Sequence, residues 1–333
     1  MLGLSTGIIW DSSIKLLSEP PQDNLVGHWD FTDVTQLKGS LSGSFSGSAL
    51  SGGDKIGRCK NKAPNIGGSS THHLGQWVRA VSNDTRPTWL TGGANSKAYA
   101  SFDNSSYTQA LVCRSTDATN WGGNGTDILS QTTRLKAEDL SIFIVGEPLD
   151  DDTDGSPEDV FSYFAYYDRP SGFNDSEYIA FTFERDDDDD MHAKWVLGSH
   201  GVVSPNSVDA TNVINHWNSG GASIINLQTS LDVGKSYIYT NNVPDVGQTI
   251  FHPASTGGFA QNNWADFDPV NYDDSLTVSI GIGGTVNSSG ALASDSFEGK
   301  IYEILVYKEA LSESDRSALT HYLGYKYNID VTT

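Results

Sequence analysis

Carboxylates at alternate positions mark the first stretch of the sequence that could bind a ligand. Residues 150–155 read Asp-Asp-Asp-Thr-Asp-Gly, and Glu158 follows at the ninth position of the same loop. Alternate carboxylates can converge on one calcium ion while the glycine permits a sharp turn. The twelfth position is Phe161, where a helix–loop–helix calcium site needs a bidentate glutamate, so a solvated acidic turn is the favoured interpretation. The calcium candidates, and the only cofactor candidates in the sequence, are Asp150, Asp152, Asp154 and Glu158.

A second acidic run could supply the paired carboxylates of a glycosidase. Glu184, Asp186 and Asp188 follow an aromatic-rich stretch and share one face if the chain stays extended. Two carboxyl groups about 5 Å apart on either side of a sugar act as nucleophile and general acid in retaining enzymes. However, residues 186–190 are consecutive aspartates, which repel one another and suit a solvated loop. The acidic end of a hairpin is therefore favoured over a catalytic pair.

Three tryptophans are candidates for sugar binding, because an exposed indole ring can stack on the face of a sugar. Each lies near a turn rich in glycine or asparagine, and the alternative for each is burial in the core. These candidates are Trp121, Trp217 and Trp264. The sequence has no His-Glu-x-x-His and no Gly-x-Ser-x-Gly motif. Together with the weak carboxylate signal, this predicts a protein that is not an enzyme.

The elements that would position such residues are clearest near the end of the sequence. Residues 297–307 form a β-rich run with apolar side chains at both odd and even positions. One face is expected to carry Phe297, Ile301, Leu305 and Tyr307, and the other Tyr302, Ile304 and Val306. Two apolar faces predict a strand buried inside a sandwich.

An amphipathic helix is predicted to follow this strand over residues 313–329. Ser312 is a good N-cap, and the acidic Glu313 and Asp315 lie in the first turn, where the helix dipole favours negative charge. An apolar helix face is predicted from the i, i+3, i+4 spacing of Leu319, Tyr322 and Leu323. The helix is therefore expected to close back onto the sandwich.

The same stretch carries a family resemblance. Residues 297–307, with Ala-Leu-Ser-Glu-Ser-Asp-Arg at 310–316 and Tyr-Leu-Gly-Tyr-Lys-Tyr at 322–327, resemble the closing strand and helix of concanavalin A-like lectin and glucanase domains of the laminin-G-like subgroup. Earlier segments that resemble landmarks of these domains, in the same order, are 27–31, 86–90, 100–103 and 140–145. The resemblance covers residues 25–329 and implies an antiparallel jelly roll of two packed sheets. It implies no reaction, because this fold hosts lectins, hydrolases and structural modules.

Composition and charge narrow the classes of partner. The 34 glycines and the short apolar runs between turn signals favour an all-β chain. The formal charge of -22 disfavours nucleic acid and anionic membranes as partners. Cys59 and Cys113 are the only cysteines, and whether they form one bridge stays open. The first ten residues lack the basic and long apolar regions of a signal peptide.

Residues 1–24 are predicted to form an extended N-terminal arm that ends in a Pro-Pro hinge, ahead of one domain over residues 25–333. The arm either packs on its own domain or inserts into a neighbouring subunit. The apolar side chains expected to anchor it include Leu2, Leu4, Ile8, Ile9 and Trp10. The Met-Leu-Gly-Leu start resembles the openings of small virion structural proteins of tailed phages.

The combined prediction is an all-β, antiparallel, two-sheet jelly-roll sandwich of the concanavalin A-like type, with one C-terminal α-helix and an extended N-terminal arm. The resemblance implies a non-enzymatic virion structural protein, a capsid decoration or surface accessory that is assembled in the host cytoplasm. Its arm would dock on the major capsid protein or another virion protein, or mediate a homo-oligomer. One alternative is a carbohydrate-binding module for a cell-surface glycan. A less favoured one is a hydrolase similar to family-16 glucanases, whose Glu-x-Asp-x-x-Glu motif lacks its final glutamate after Glu184.

Overall fold

Two antiparallel β-sheets face each other, and one α-helix covers the outer side of the first sheet. The computed structural model describes residues 17–41, 49–64, 77–103, 109–114, 140–149, 158–168, 174–185, 191–199, 207–208, 221–230, 235–241, 243–244, 277–286 and 292–332. The helix, α1, spans Glu313–Tyr327, and two short 3-10 turns span Val34–Gln36 and Ala94–Ser96.

The strands follow the apolar and aromatic runs of the sequence. In chain order they are β1 (Leu25–Asp30), β2 (Leu37–Lys38), β3 (Arg58–Lys60), β4 (Trp77–Ala80), β5 (Thr88–Leu90), β6 (Tyr99–Phe102), β7 (Leu111–Arg114), β8 (Leu140–Pro148), β9 (Glu158–Asp168), β10 (Asn174–Arg185), β11 (Met191–Ser199), β12 (Ser207–Val208), β13 (Ser223–Ser230), β14 (Lys235–Thr240), β15 (Val243–Pro244), β16 (Thr277–Ile282), β17 (Gly284–Val286), β18 (Leu292–Ser296) and β19 (Gly299–Tyr307). Aromatic and β-branched residues are frequent in β9 and β19, in keeping with their preference for strands.

The first sheet has the order β15-β14-β13-β8-β19-β6-β5, and β1 also pairs with β19. Because β8 runs along one edge of β19, β6 and β1 share the other edge, opposite residues 299–301 and 303–307 respectively. The second sheet has the order β12-β11-β10-β9-β16-β7-β4-β3-β2, with β17 and β18 beside β9. The predicted all-β architecture of two antiparallel sheets with one C-terminal helix is confirmed, whereas the jelly-roll connectivity stays a prediction.

Two apolar clusters lie on opposite sides of the first sheet. The cluster between the sheets joins side chains such as Trp29, Ile144 and Val306 to Phe161 and Ile280 of the second sheet. The cluster between the first sheet and α1 consists of Leu25, Phe143, Val145, Ile224, Tyr302, Leu305, Tyr307, Leu319, Leu323 and Tyr327. The predicted burial of β19 on both faces is therefore confirmed.

A β-bulge interrupts the regular alternation of β19. Ile301 pairs with Gly146 and Glu303 pairs with the adjacent Val145, so Tyr302 is one extra residue on this strand. Ile301 packs between the sheets, while Tyr302 and Glu303 both contact residues of α1. Two consecutive side chains thus face the helix, which a regular strand does not allow.

The predicted grouping of side chains on β19 is wrong for this reason. The core between the sheets receives Phe297, Ile301, Ile304 and Val306, whereas the helix side receives Tyr302, Leu305 and Tyr307. The prediction assumes regular alternation along the strand, and the extra residue Tyr302 reverses this alternation before position 303.

The predicted start of the helix is confirmed. Ser312 caps it by accepting a hydrogen bond from the backbone N–H of Asp315 at 3.1 Å. The helix ends two residues before the predicted position 329, because Asn328 adopts a left-handed conformation at φ 55° and its N–H returns to the carbonyl of Gly324.

The lead-in to the domain is described from residue 17 onward. Pro20 is buried, and the carbonyl of Pro21 accepts a hydrogen bond from the Tyr307 hydroxyl at 3.2 Å. Leu17 packs against the cluster under α1. The predicted anchoring residues Leu2, Leu4, Ile8, Ile9 and Trp10 lie outside the described residues, and their role stays a prediction. Among the described residues, no helix combines the length and apolar character needed to cross a membrane.

The two cysteines are buried and are not joined by a disulfide. Cys59 lies on β3 and Cys113 on β7, with β4 paired between them. Two strand spacings separate their backbones by about 10 Å, more than the ~7 Å that a disulfide can bridge.

Both cysteines should therefore be thiols that are shielded from reagents. Cys59 is fully buried, Cys113 is 2% exposed, and burial raises the pKa of Cys59. We expect no reaction with a thiol reagent in the native protein, and reaction of both thiols in denaturant without reductant. Failure of either thiol to react in the denatured chain would indicate a disulfide and contradict this account.

Candidate functional site

An ionisable side chain lies buried at the middle of β19. The carboxylate of Glu303 is fully buried, and one of its oxygens lies 2.7 Å from Nε2 of His28. The other oxygen accepts from Nζ of Lys326 at 2.8 Å and from the hydroxyl of Tyr327 at 2.7 Å. Because a carboxylate only accepts hydrogen bonds, His28 must donate from Nε2. Every oxygen of the buried carboxylate is thus compensated.

A second carboxylate, Asp30, extends this cluster on β1. Nζ of Lys326 lies 3.0 Å from it and Nζ of Lys62 lies 3.2 Å from it. The hydroxyl and the backbone N–H of Thr32 also donate to Asp30, at 2.6 and 3.0 Å. We call His28, Asp30, Glu303, Lys326 and Tyr327 the buried ion cluster. Lys326 is its centre, because one ammonium group bridges both carboxylates.

The fold brings these residues together through strand pairing and one helix turn. Asp30 pairs with Glu303, and His28 pairs with Leu305, so residues 28 and 30 share the face of the sheet that looks toward α1. Lys326 belongs to the last turn of the helix and reaches down to this face. The cluster therefore joins the first strand of the domain, its last strand and its helix.

The charges of the cluster stabilise one another's ionised forms. Burial by itself raises the pKa of Asp30, but the Lys326 ammonium, the Thr32 hydroxyl and Lys62 outweigh it and hold that pKa well below its usual range. Burial and the Asp30 charge raise the pKa of Glu303, and the hydrogen bond from His28 together with Lys326 lowers it overall. Burial lowers the pKa of Lys326, but Glu303 and Asp30 raise it overall. Both carboxylates and the ammonium are therefore ionised at neutral pH.

Metal binding and catalysis are the two chemistries such a cluster suggests. Ligand atoms of His28, Asp30 and Glu303 lie within 4.8 Å of one another, as in a small metal site. However, the Lys326 ammonium already contacts both carboxylates and supplies the positive charge that a metal would bring. A glycosidase pair must reach a sugar, whereas Asp30 and Glu303 are buried. The geometry therefore fits a structural anchor.

An open groove lies directly beside this anchor, at the end of α1. It comprises two adjoining cavities of about 540 and 440 Å3, which share part of their lining. The residues common to both are Asn95, Asn328, Ile329 and Asp330. Tyr325 and Lys97 line the first cavity, while Asn241 and Glu147 line the second. We call this the helix-end groove.

Tyr325 is the most exposed large apolar side chain among the described residues, with 85% of its surface accessible. The buried face of α1 carries Leu319, Leu323 and Tyr327, and Tyr325 points away from it. An aromatic ring left open to water at the rim of a groove is available to contact a ligand.

The asparagines of the groove are held by unusual backbone geometry. Asn95, Asn241 and Asn328 have φ of 48°, 50° and 55°, in the left-handed region that asparagine tolerates better than most residues. The side-chain amide of Asn95 donates to the carbonyl of Lys326 at 3.0 Å. This bond ties the turn Ala94–Ser96 to the last turn of α1.

The bulge residue Tyr302 fixes the same turn from below. Its hydroxyl accepts a hydrogen bond from the backbone N–H of Ala94 at 3.1 Å, and its ring contacts that of Tyr327. A Cβ on Gly93 would lie 2.6 Å from this hydroxyl, so the close approach requires glycine at that position. The buried ion cluster and the bulge thus set the shape of the groove.

The site residues predicted from the sequence are elsewhere or outside the described part of the chain. Asp150, Asp152, Asp154 and the tryptophans Trp121, Trp217 and Trp264 lie outside it. Glu158 lies in β9, and its backbone pairs with that of Phe183 in β10. Glu184 pairs with His192 across the β10–β11 hairpin, and Asp186 and Asp188 lie outside the described residues. The proposed calcium and sugar sites at these positions therefore stay predictions.

One feature of the sequence points to the buried ion cluster. Glu303 is the one charged residue between Ile301 and Tyr307, in a strand with apolar residues on both faces. A charge in such a strand needs buried partners, which points toward a pairing residue elsewhere. Similarly, Tyr325 is an aromatic residue off the apolar face of its helix, a pattern that indicates exposure.

No family model matches the sequence, and no curated protein matches it. A Trypanosoma rangeli sialidase in complex with sialic acid is 11% identical, with a TM-score of 0.39 over 94% of this chain and 34% of that chain. The Ruminococcus gnavus IT-sialidase CBM40 bound to alpha2,3 sialyllactose is 13% identical, with a TM-score of 0.29 over 56% of this chain and 83% of that chain.

A second complex of the Trypanosoma rangeli sialidase, with 2,3-difluoro-KDN, is 9% identical, with a TM-score of 0.42 over 96% of this chain and 37% of that chain. The chain thus spans about a third of the length of these sialidases. At such identities and TM-scores no function passes from those proteins to this chain. The two-sheet sandwich is established by the strand pairing within this chain.

The prediction that this protein is not an enzyme is wrong against these comparisons. The solved structures similar to the chain include sialidases, which are enzymes, and one of these is a mutant displaying trans-sialidase activity. The absence of familiar catalytic motifs from the sequence is not a sufficient ground for excluding an enzyme. The similar structures do not show which activity, if any, this chain carries.

Replacing Lys326 with methionine should destabilise the protein strongly. The substitution keeps the packing of the aliphatic stem and leaves two buried carboxylates without their shared ammonium, which costs about 3–5 kcal/mol in comparable pairs. The free energy of urea unfolding measures this. Lys60→Met, at an exposed position, is the control and should change stability by less than about 0.5 kcal/mol. Equal stability of the two variants would contradict the anchoring role.

Stability should also fall in acid because of the same carboxylates. Asp30 and Glu303 have lowered pKa values in the folded protein, so the unfolded chain binds more protons below about pH 4–5. Their contribution is complete above that range and is lost as the pH falls through the folded values. In urea unfolding between pH 2.5 and 7, Glu303→Gln should show a smaller acid loss than the unsubstituted protein, while Glu19→Gln, at an exposed position, should match it. An unchanged acid loss in Glu303→Gln would show that Glu303 is not a source of it.

Proposed function

We propose that this protein binds carbohydrate in the helix-end groove. The observation that carries the proposal is the ring of Tyr325, exposed over 85% of its surface at the rim of a groove lined by asparagine and aspartate side chains. Sugars present an apolar C–H face and a ring of hydroxyls. An open aromatic ring with planar amides and a carboxylate beside it matches both properties.

The hydrogen-bonding capacity of the groove supports this proposal. Asn328 and Asp330 are exposed, and neither side chain forms a hydrogen bond or ion pair within the described part of the chain. An amide offers two donors and an acceptor, and a carboxylate offers acceptors only, so together they can bind adjacent hydroxyls of one sugar. The cavity volumes fall in the range of about 300–1,000 Å3 typical of small-ligand sites.

The rigidity of the groove also favours binding. Lys326 and Tyr327 are held by the buried ion cluster, while their neighbours Tyr325 and Asn328 face the groove. The turn at Asn95 is tied to the carbonyl of Lys326. Side chains that are already positioned lose less conformational freedom when a ligand binds.

The place where the protein acts is a separate proposal that rests on the sequence. Display on a tailed-phage virion, with the N-terminal arm docked on a capsid protein, is compatible with a glycan-binding sandwich, because such a domain would attach the particle to a cell-surface glycan. Mass spectrometry of purified particles tests it. Absence of the protein from particles would discard the virion location and leave glycan binding untouched.

Tyr325→Ala should weaken glycan binding about tenfold or more, because the stacking surface is lost. A glycan array identifies ligands for the unsubstituted protein, and calorimetric titration of the best ligand measures affinity. Tyr325→Phe keeps the ring and should retain most of the affinity. Val81→Ala changes the other exposed large apolar side chain of the described residues and should have no effect. Glycan binding that Tyr325→Ala leaves intact would place the site elsewhere.

A further inference from the structure

The helix-end groove extends beyond Tyr325, and its second cavity is lined partly by other residues than the first. Tyr325 and Lys97 line the first cavity, whereas Asn241, Glu147 and Gly221 line the second. Asn95, Asn328 and Asp330 line both, so the two cavities adjoin each other. A single sugar on Tyr325 would leave the second cavity unfilled.

Among the described residues that line the groove, positive and negative charges are equal in number. Lys326 is engaged by Asp30 and Glu303, and Glu147 is paired with Lys300 at 2.9 Å. The charges that remain are one cation, Lys97, and one anion, Asp330, and neither forms an ion pair within the described part of the chain. The whole chain carries a formal charge of -22, which repels anionic ligands at a distance. A site for a negatively charged sugar would need a surplus of positive charge.

We propose that the helix-end groove takes a neutral oligosaccharide of at least two sugar units, one stacked on Tyr325 and the next lying toward Asn241. This inference rests on the proposed carbohydrate binding and adds the charge and the length of the ligand. The amide of Asn241 suits the second unit, because its Oδ1 is already fixed by the backbone N–H of Ile224 at 2.8 Å and its NH2 group remains as a donor.

The test uses the full chain and matched pairs of glycans. An array that carries neutral oligosaccharides beside their sialylated and sulfated forms gives the charge preference, and the best ligand is then titrated as one, two and three units. The expected result is a preference for the neutral form, and tighter binding of the two-unit ligand than of the single sugar.

Two variants test the second position. Asn241→Gly removes the amide while tolerating the positive φ, and Ala222→Gln narrows the second cavity. Each should weaken binding of the two-unit ligand about fivefold and leave binding of the single sugar unchanged. Thermal melting with each variant confirms that it is folded, and either folded variant suffices for the test.

The remaining outcomes separate this inference from the proposed function. Tighter binding of sialylated or sulfated glycans that Lys97→Met weakens would contradict the proposed preference for a neutral ligand. In that case, a loss of affinity in Tyr325→Ala would still support carbohydrate binding in the groove. Equal affinity for ligands of one and two sugar units would contradict the proposed minimum length of two units. No binding to any glycan on the array would overturn both proposals.

Discussion

Glu303 holds an ionised carboxylate at the middle of a strand that is covered on both faces, and the surrounding structure compensates for the water it loses. Compensation comes from His28 on the first strand and from Lys326 and Tyr327 at the end of the helix. A buried pair of this kind adds little net stability over an apolar replacement, but removal of one partner is costly. The cluster therefore specifies which segments meet, and it joins residues near both ends of the domain.

The groove is a consequence of the same constraint. The bulge at Tyr302 turns two consecutive side chains toward the helix: Glu303 binds the helix end, and Tyr302 binds the turn Ala94–Ser96. The inward-facing Lys326 and Tyr327 leave Tyr325 and Asn328 facing water on the other side of the chain. Burial of charge on one side of the helix end thus presents an aromatic ring and amides on the other. The proposed glycan site depends on the buried ion cluster, and two residues of that cluster, Lys326 and Tyr327, also line the groove.

The sequence predicted elements better than it predicted the site. The burial of β19 and the cap at Ser312 were readable because alternation and capping are local properties of the chain. The bulge at Tyr302 is not a local property of this kind, because a count of alternate positions assumes a regular pleat. The sequence therefore predicted Ile301 on the same face as Leu305 and Tyr307, which is wrong. The groove joins residues 94–97 to residues 325–330, which only the folded chain brings together. The tryptophans chosen from the sequence share a residue type with sugar sites but have no described geometry.

Hydrogen–deuterium exchange with and without a bound neutral oligosaccharide tests the central claim most directly, because it locates the ligand without altering the protein. The account predicts protection of backbone amides in residues 93–97 and 325–332, the two segments that the groove joins. Protection confined to residues 115–139, 209–220 or 251–276, which carry Trp121, Trp217 and Trp264, would contradict it and return the site to the tryptophans indicated by the sequence.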